Sequence, residues 1–221
     1  MPHFFGRRDG DHVTIEGRDA RHLAGPLRAR PGEIVSVVEP EGRLLSVRLL
    51  EVTPRSITGT VEGEREHRPE PSLRLMIALA MLPSAALEAA LARCTELGAW
   101  SFVLVRAERS VGRAAKPQRW AAICREAAML AGRLRVPEVR GPVELDELIG
   151  RVVMLDGSSS VRLAELNLGD QSTLLIGPEG GWTERERELF EERATLGPRN
   201  LRAENAAAAA AAVALARAGD L

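Results

Sequence analysis

Residues 73–82 read LRLMIALAML, an apolar run broken only by Arg74. A strand with one wet face alternates polar and apolar residues. A strand covered on both faces does not, and such strands belong to mostly parallel sheets flanked by helices. The chain that follows keeps this regime. Ser84–Leu97 has helical spacing through Leu87, Leu91 and Cys94, with Gly98 to end it. Residues 102–105 form a second apolar run. Pro117–Ala131 is again helical, with Pro117 suited to a first turn and Gly132 to the exit. Val152–Leu155 and residues 173–176 read as further strands, and residues 183–194 and Ala203–Ala218 as further helices. Alternating strands and helices predict an α/β domain built on a parallel sheet.

Upstream the pattern is different. Residues 13–16, 33–39, 44–52 and 57–62 are short β-prone segments, with a short helix over 19–27 and turns at Pro31-Gly32 and Pro40-Glu41-Gly42. Short strands joined by tight turns predict a small β-barrel. Residues 63–72, GEREHRPEPS, are charged, carry Pro69 and Pro71, and read as a linker. Two domains are therefore expected: a β-barrel over 1–68 and an α/β domain over 72–221.

The apolar fraction of 45% in 221 residues is enough for packed cores. The net charge of -1 gives no overall attraction to nucleic acid, although it leaves room for a basic patch on one face. Lys116 is the only lysine, so arginine carries the cationic chemistry, with its bidentate geometry for phosphates and base edges. Codon bias accounts for most of that excess. Cys94 and Cys124 are far apart and lack metal-ligand spacing; no metal is expected, and a reducing cytoplasm fits. The first ten residues lack the apolar core of a signal peptide, and no apolar stretch reaches membrane-spanning length.

The most informative segment is 174–190, LLIGPEGGWTERERELF. A buried strand ends in a glycine-rich turn, Gly177-Pro178-Glu179-Gly180-Gly181, and a helix opens at Thr183 with Glu186 three residues on, a capping box. Ligands of open α/β sheets bind beyond the carboxyl ends of strands, and glycines admit them close to backbone. The spacing matches neither the dinucleotide fingerprint nor a Walker loop. Taken alone, the turn is equally compatible with a plain strand-to-helix connection. A second such turn, residues 196–206, LGPRNLRAENA, brings Arg199, Arg202 and Glu204 to the start of the alanine-rich helix. Helix capping explains Glu204, but it explains the arginine pair less well.

Together these segments resemble the bacterial ribosomal RNA uracil-N3 methyltransferases, whose pattern is roughly IGPEGGF-[ST]-x-x-E followed by LG-x-RILR-x-ETA. This chain supplies residues 176–181, Trp182 for the aromatic, Thr183 and Glu186, then Leu196, Gly197, Arg199, Leu201, Arg202, Glu204 and Ala206. Thr95-Glu96-Leu97-Gly98, residues 132–138 (GRLRVPE), His22-Leu23 and Leu27-Arg28 match further family stretches in order, across nearly the whole chain. The chain departs from the pattern at Ala86, Ala92, Met129, Leu130, Asn200 and Asn205. The resemblance implies a PUA-like β-barrel, a SPOUT domain with a deep trefoil knot, S-adenosyl-L-methionine (AdoMet) as cofactor, a homodimer formed through the knotted domain, and methylation of a uridine N3 in 16S rRNA of the small ribosomal subunit. A non-catalytic or altered-substrate SPOUT relative that binds RNA is the alternative.

By the same resemblance, AdoMet lies among three loops: Leu155, Asp156 and Gly157; Ile176, Gly177, Pro178, Gly180 and Gly181; and Leu196, Gly197 and Leu201. Arg202 is the expected stabiliser of a uracil anion or of a backbone phosphate, with Glu179 or Glu204 assisting proton removal or orienting Arg202. His22, Arg28, Arg109 and Arg133 are the candidate RNA contacts. Trp182 is expected to pin its helix rather than stack on a base, and Trp100 and Trp120 to be core.

Overall fold

The structure is a computed structural model and describes residues 2–39, 42–112 and 115–221. Pro40 and Glu41, in the second predicted turn, lie outside these. Two compact units are present: residues 1–70 with 128–135, and residues 71–127 with 136–221.

The first unit holds β1 (His3–Phe5), β2 (Arg7–Asp9), β3 (His12–Glu16), α1 (Gly17–Ala24), β4 (Ile34–Glu39), β5 (Arg43–Val52) and β6 (Ser56–Glu66). They form one sheet in the order β1-β4-β5-β6-β3-β2, antiparallel except for the β1–β4 pair. The sheet is a half-barrel with β1 and β2 at its ends, where closely spaced strands had predicted a small barrel. Alternation along the strands puts Phe4, Val13, Ile15, Val37, Leu45, Val47 and Ile57 into one core, joined by Leu23 of α1 and by Met129. Register shifts at Ser46/Val47 and Leu49/Glu51 bend β5. At Gly59 any Cβ would lie 2.5 Å from Val47 Cγ1 and 2.6 Å from the Arg48 carbonyl, so the β5–β6 approach requires glycine there.

β6 runs on to Glu66, so the first four residues of the predicted linker are strand. Glu64 receives hydrogen bonds from Arg8 and Arg43 on the exposed face, and Arg48 pairs with Glu62. A strand end that is polar on both sides has the composition of a linker. Only pairing to β5 distinguishes them.

The second unit holds β7 (Arg74–Ala80), α2 (Ser84–Leu97), β8 (Ser101–Arg106), α3 (Pro117–Ala131, whose last four residues belong to the first unit), β9 (Glu138–Glu144), β10 (Val152–Leu155), β11 (Gln171–Ile176), α4 (Glu184–Glu188), β12 (Arg193–Ala194) and α5 (Ala203–Ala218). All sheet pairs are parallel, in the order β12-β10-β11-β7-β8-β9. The central strands are buried on both faces, as the unbroken apolar run predicts: Leu75, Ile77 and Leu79 face one core, Ala78 and Ala80 another. α2 and α5 pack against each other and share the larger core. Trp120 is in that core, whereas Trp100 is half-buried with the Arg74 guanidinium 4.9 Å above its ring. Asp220 accepts hydrogen bonds from the Ser72 and Leu73 amides and the Ser72 hydroxyl, fastening the segment after α5 to the approach to β7.

Two further departures have clear causes. The predicted helix over 183–194 ends at Glu188, because residues 192–194 are drawn into the sheet, where the Glu192 and Ala194 carbonyls accept from the Met154 and Asp156 amides. Sheet pairing here overrides helix propensity. β9 contains Gly141-Pro142 and did not read as a strand; it lies at a sheet edge, where proline is tolerated.

Candidate active site

Three loops leave the carboxyl ends of β10, β11 and β12 side by side. Between them is a cavity of about 500 Å3, within the range of small-molecule and cofactor sites. It is lined by Leu155, Asp156, Gly157 and Ser158 from the first loop, residues 176–182 with Arg187 from the second, and residues 194–197, 199–201, 203 and 206 from the third. All the residues expected at the cofactor therefore surround one cavity, and Glu179 lines it with them.

Each loop is held open by local chemistry. In the second, Gly181 has φ +68° and its amide donates to the Pro178 carbonyl. A Cβ on Gly177 would lie 2.8 Å from the Trp182 ring, so this glycine makes room for the indole. Trp182 is buried and donates from Nε1 to the Leu155 carbonyl at 2.9 Å, joining the first loop to the second. It thus pins two loops together, where it was expected to pin its own helix. The capping box is present: Glu186 accepts from the Thr183 amide, and Thr183 accepts from the Glu186 amide. The buried Glu186 carboxylate also accepts from the Glu108 amide. In the third loop, Gly197 at φ +118° turns the chain, and its amide donates to Thr195 Oγ1.

The charged residues divide. Arg202 is the N-cap of α5, its side chain does not cap the helix, and it lies between Leu201 and Ala203 of the lining. Arg199 lines the cavity directly. Among the described residues neither guanidinium has a hydrogen bond or ion pair, and both are exposed. Glu204 is half-buried, and its Oε2 is buried without a hydrogen-bond partner. Such orphaned oxygens are uncommon and call for an explanation. Asp156, expected in the first loop beside Leu155 and Gly157, is buried at the cavity wall. Burial alone would raise its carboxyl pKa, but hydrogen bonds from the Ser158 amide and hydroxyl, with the Arg187 guanidinium, hold it below the usual carboxylate range. No local motif marks this pair, since Asp156 and Arg187 meet only through the tertiary fold.

The four candidate RNA contacts fare unequally. His22 is half-buried near the Phe4 ring. Arg28 is exposed in a left-handed backbone conformation, φ 51°, which is strained for a residue with a side chain. Arg109 donates to the Gly180 carbonyl at 2.8 Å and so braces the second loop. Arg133 is 2% exposed and ion-paired with Glu70, whose carboxylate also accepts from the Leu134 amide. This corrects its expected place at the surface: a guanidinium in a buried pair is not presented to a polyanion. The departures from the family pattern also find places. Met129 fills the core of the first unit, Asn205 accepts from Arg93 at 2.7 Å, and Asn200 lines the cavity.

Residues 68–215 match the family model for the RNA methyltransferase domain. Ribosomal RNA small subunit methyltransferase E of Bacillus subtilis is 30% identical over 219 residues, covering 87% of this chain and 85% of the relative. The chain belongs to this RNA methyltransferase family. Among solved structures, ribosomal RNA small subunit methyltransferase E from Neisseria gonorrhoeae, bound to S-adenosyl methionine, is 28% identical with a TM-score of 0.83, over 96% of this chain and 95% of that one. A methyltransferase from Legionella pneumophila, in complex with the cofactor SAM, has a TM-score of 0.88 at 23% identity over 98% and 97% of the two chains, a likeness of fold. The cavity is formed by the carboxyl ends of adjacent parallel strands, as in other α/β sheets.

Proposed function

We propose that this family member methylates N3 of a uridine in 16S rRNA of the small ribosomal subunit, with AdoMet held in the three-loop cavity. The observation that carries the reading is the cavity itself: glycine-rich, partly apolar, bounded by fixed backbone, and flanked by two guanidinia, Arg199 and Arg202, that are unpaired among the described residues. The lining fits the cofactor. Leu155, Ile176, Leu196 and Leu201 supply apolar cover, and Gly157, Gly181 and Gly197 leave open space where a Cβ would stand. The S-adenosyl methionine-bound Neisseria relative supports the same assignment.

Bound there, AdoMet supplies an electrophilic methyl carbon. The chain's residues do the rest. Uridine N3 carries a proton that must leave as negative charge spreads to the ring oxygens. Arg202, without a competing partner among the described residues, stabilises that charge. Glu204, with an unpartnered oxygen, or Glu179 on the cavity wall, takes the proton or orients Arg202. Arg109 holds the second loop in shape through Gly180.

The half-barrel is read as a PUA-like module that meets RNA through Arg28 and His22. The α/β unit is read as a trefoil-knotted SPOUT domain that dimerises. Support for the knot comes from Thr195, which exchanges backbone hydrogen bonds with Val161 and Leu163 of the β10–β11 connection, so that two chain segments pass closely beyond the sheet's end. No helix among the described residues is long and apolar enough to cross a membrane, and the substrate places the proposed work in the cytoplasm. Small subunits from a deletion strain, incubated with the protein and labelled AdoMet, are expected to gain one methyl group on one uridine, located by mass analysis. Absence of transfer while AdoMet binds favours the non-catalytic relative; transfer at another atom or RNA refutes the N3 assignment.

A further inference from the structure

The cavity wall contains an ion pair that the chemistry above does not use. Asp156 Oδ1 accepts from the Ser158 amide and hydroxyl at 2.9 and 2.8 Å, and Oδ2 accepts from Arg187 Nε at 3.0 Å. Arg193 stands 3.8 Å from the same Oδ2. The Asp156 side chain is 4% exposed and that of Arg187 27%. Arg187 Nη1 donates to Glu184, while Nη2 has no partner among the described residues. Both residues line the cavity. A guanidinium fixed at two nitrogens and free at the third is a preorganised anion receptor, and the carboxylate beside it retains capacity for one more donor.

Resting on the AdoMet reading above, we infer that Asp156 and Arg187 form the receptor for the amino-acid head of the cofactor: Arg187 Nη2 takes the α-carboxylate, and Asp156 Oδ2 takes the α-ammonium. The carboxylate is the only anionic group of AdoMet, and its ammonium neighbour makes the head a zwitterion. A fixed ion pair of opposite sense, its carboxylate buried and its guanidinium half-buried, is complementary to it at both ends. A lone arginine would leave the ammonium unpaired and a lone aspartate would repel the carboxylate. The other charged groups of the lining, Glu179 and Arg199, are exposed and lack this fixed geometry.

Calorimetry with two ligands tests this. AdoMet carries the head; 5′-methylthioadenosine has the same adenine and ribose without it. Arg187→Met and Asp156→Asn are expected to weaken AdoMet roughly 10- to 100-fold and to leave methylthioadenosine affinity within about twofold, which also shows that the variants are folded. Arg187→Lys, which restores a point charge, should recover part of the AdoMet loss. Equal losses for both ligands would mean that the pair reads the nucleoside or only shapes the cavity, and unchanged affinities would mean that it reads nothing; either overturns the inference while the AdoMet site stands. An unaltered protein that binds neither ligand sinks the AdoMet reading and this inference with it.

Discussion

The two units solve the same burial problem differently. In β6 of the half-barrel, only the first residues alternate between core and half-buried positions, and the exposed end beyond Val61 carries its charges as pairs along the strand: Arg8 and Arg43 on Glu64, Arg48 on Glu62. In β11 of the α/β unit, every residue after Gln171 is buried. A strand with no wet face has nowhere to keep polar chemistry except its ends. There the α/β unit gathers Asp156, Glu179, Arg187 and Arg199 around one cavity. Charge spread over a face adds solubility and little energy, whereas charge gathered at strand ends around a cavity makes a site.

That contrast can be broken at several points. One exception within the first unit is the buried Arg133–Glu70 pair. Glu70→Ala removes the carboxylate paired with a buried guanidinium, and denaturant unfolding should show a loss of about 3 kcal/mol; a loss near zero would make this pair no different from the surface ladder. In the α/β unit, Arg202→Ala should reduce methyl transfer about 100-fold with AdoMet affinity unchanged by calorimetry; full turnover would remove Arg202 from the chemistry. Asp220 tests a charge at the edge of that unit. Burial raises its pKa, but the Leu73 and Ser72 amides and the Ser72 hydroxyl outweigh it and depress the folded value. Its contribution is then complete above the unfolded value, near pH 4, and is lost as the pH falls through the lower folded value. Asp220→Asn should cost about 1 kcal/mol at pH 7, after allowance for solvent screening, and should flatten the loss of stability in acid. Thermal melts across that range read both. At the bottom of the scale, Arg48→Ala removes an exposed pair and should leave the melting temperature unchanged within error; a clear drop would show that the ladder is structural.

Much of this molecule is written in local pattern. The unbroken run at 73–82 marks a strand covered on both faces, the bounds of α2, α3, β10 and α5 follow from periodicity and their stop signals, and Thr183 with Glu186 announces the helix start. The glycine turns after β11 and β12 identify the loops that line the cavity, because backbone that must bend sharply or approach another group closely needs residues without a Cβ. Other features depend on partners distant in sequence. Whether residues 63–66 are linker or strand, and whether 193–194 are helix or strand, is decided by which backbone lies alongside. Arg133 looks like any surface arginine until Glu70 closes on it, and Asp156 and Arg187, 31 residues apart, become a unit only when β10 and α4 meet at the cavity. Periodicity and turn chemistry act over a few residues and can be read along the chain. An ion pair depends on distance in space, which folding alone sets.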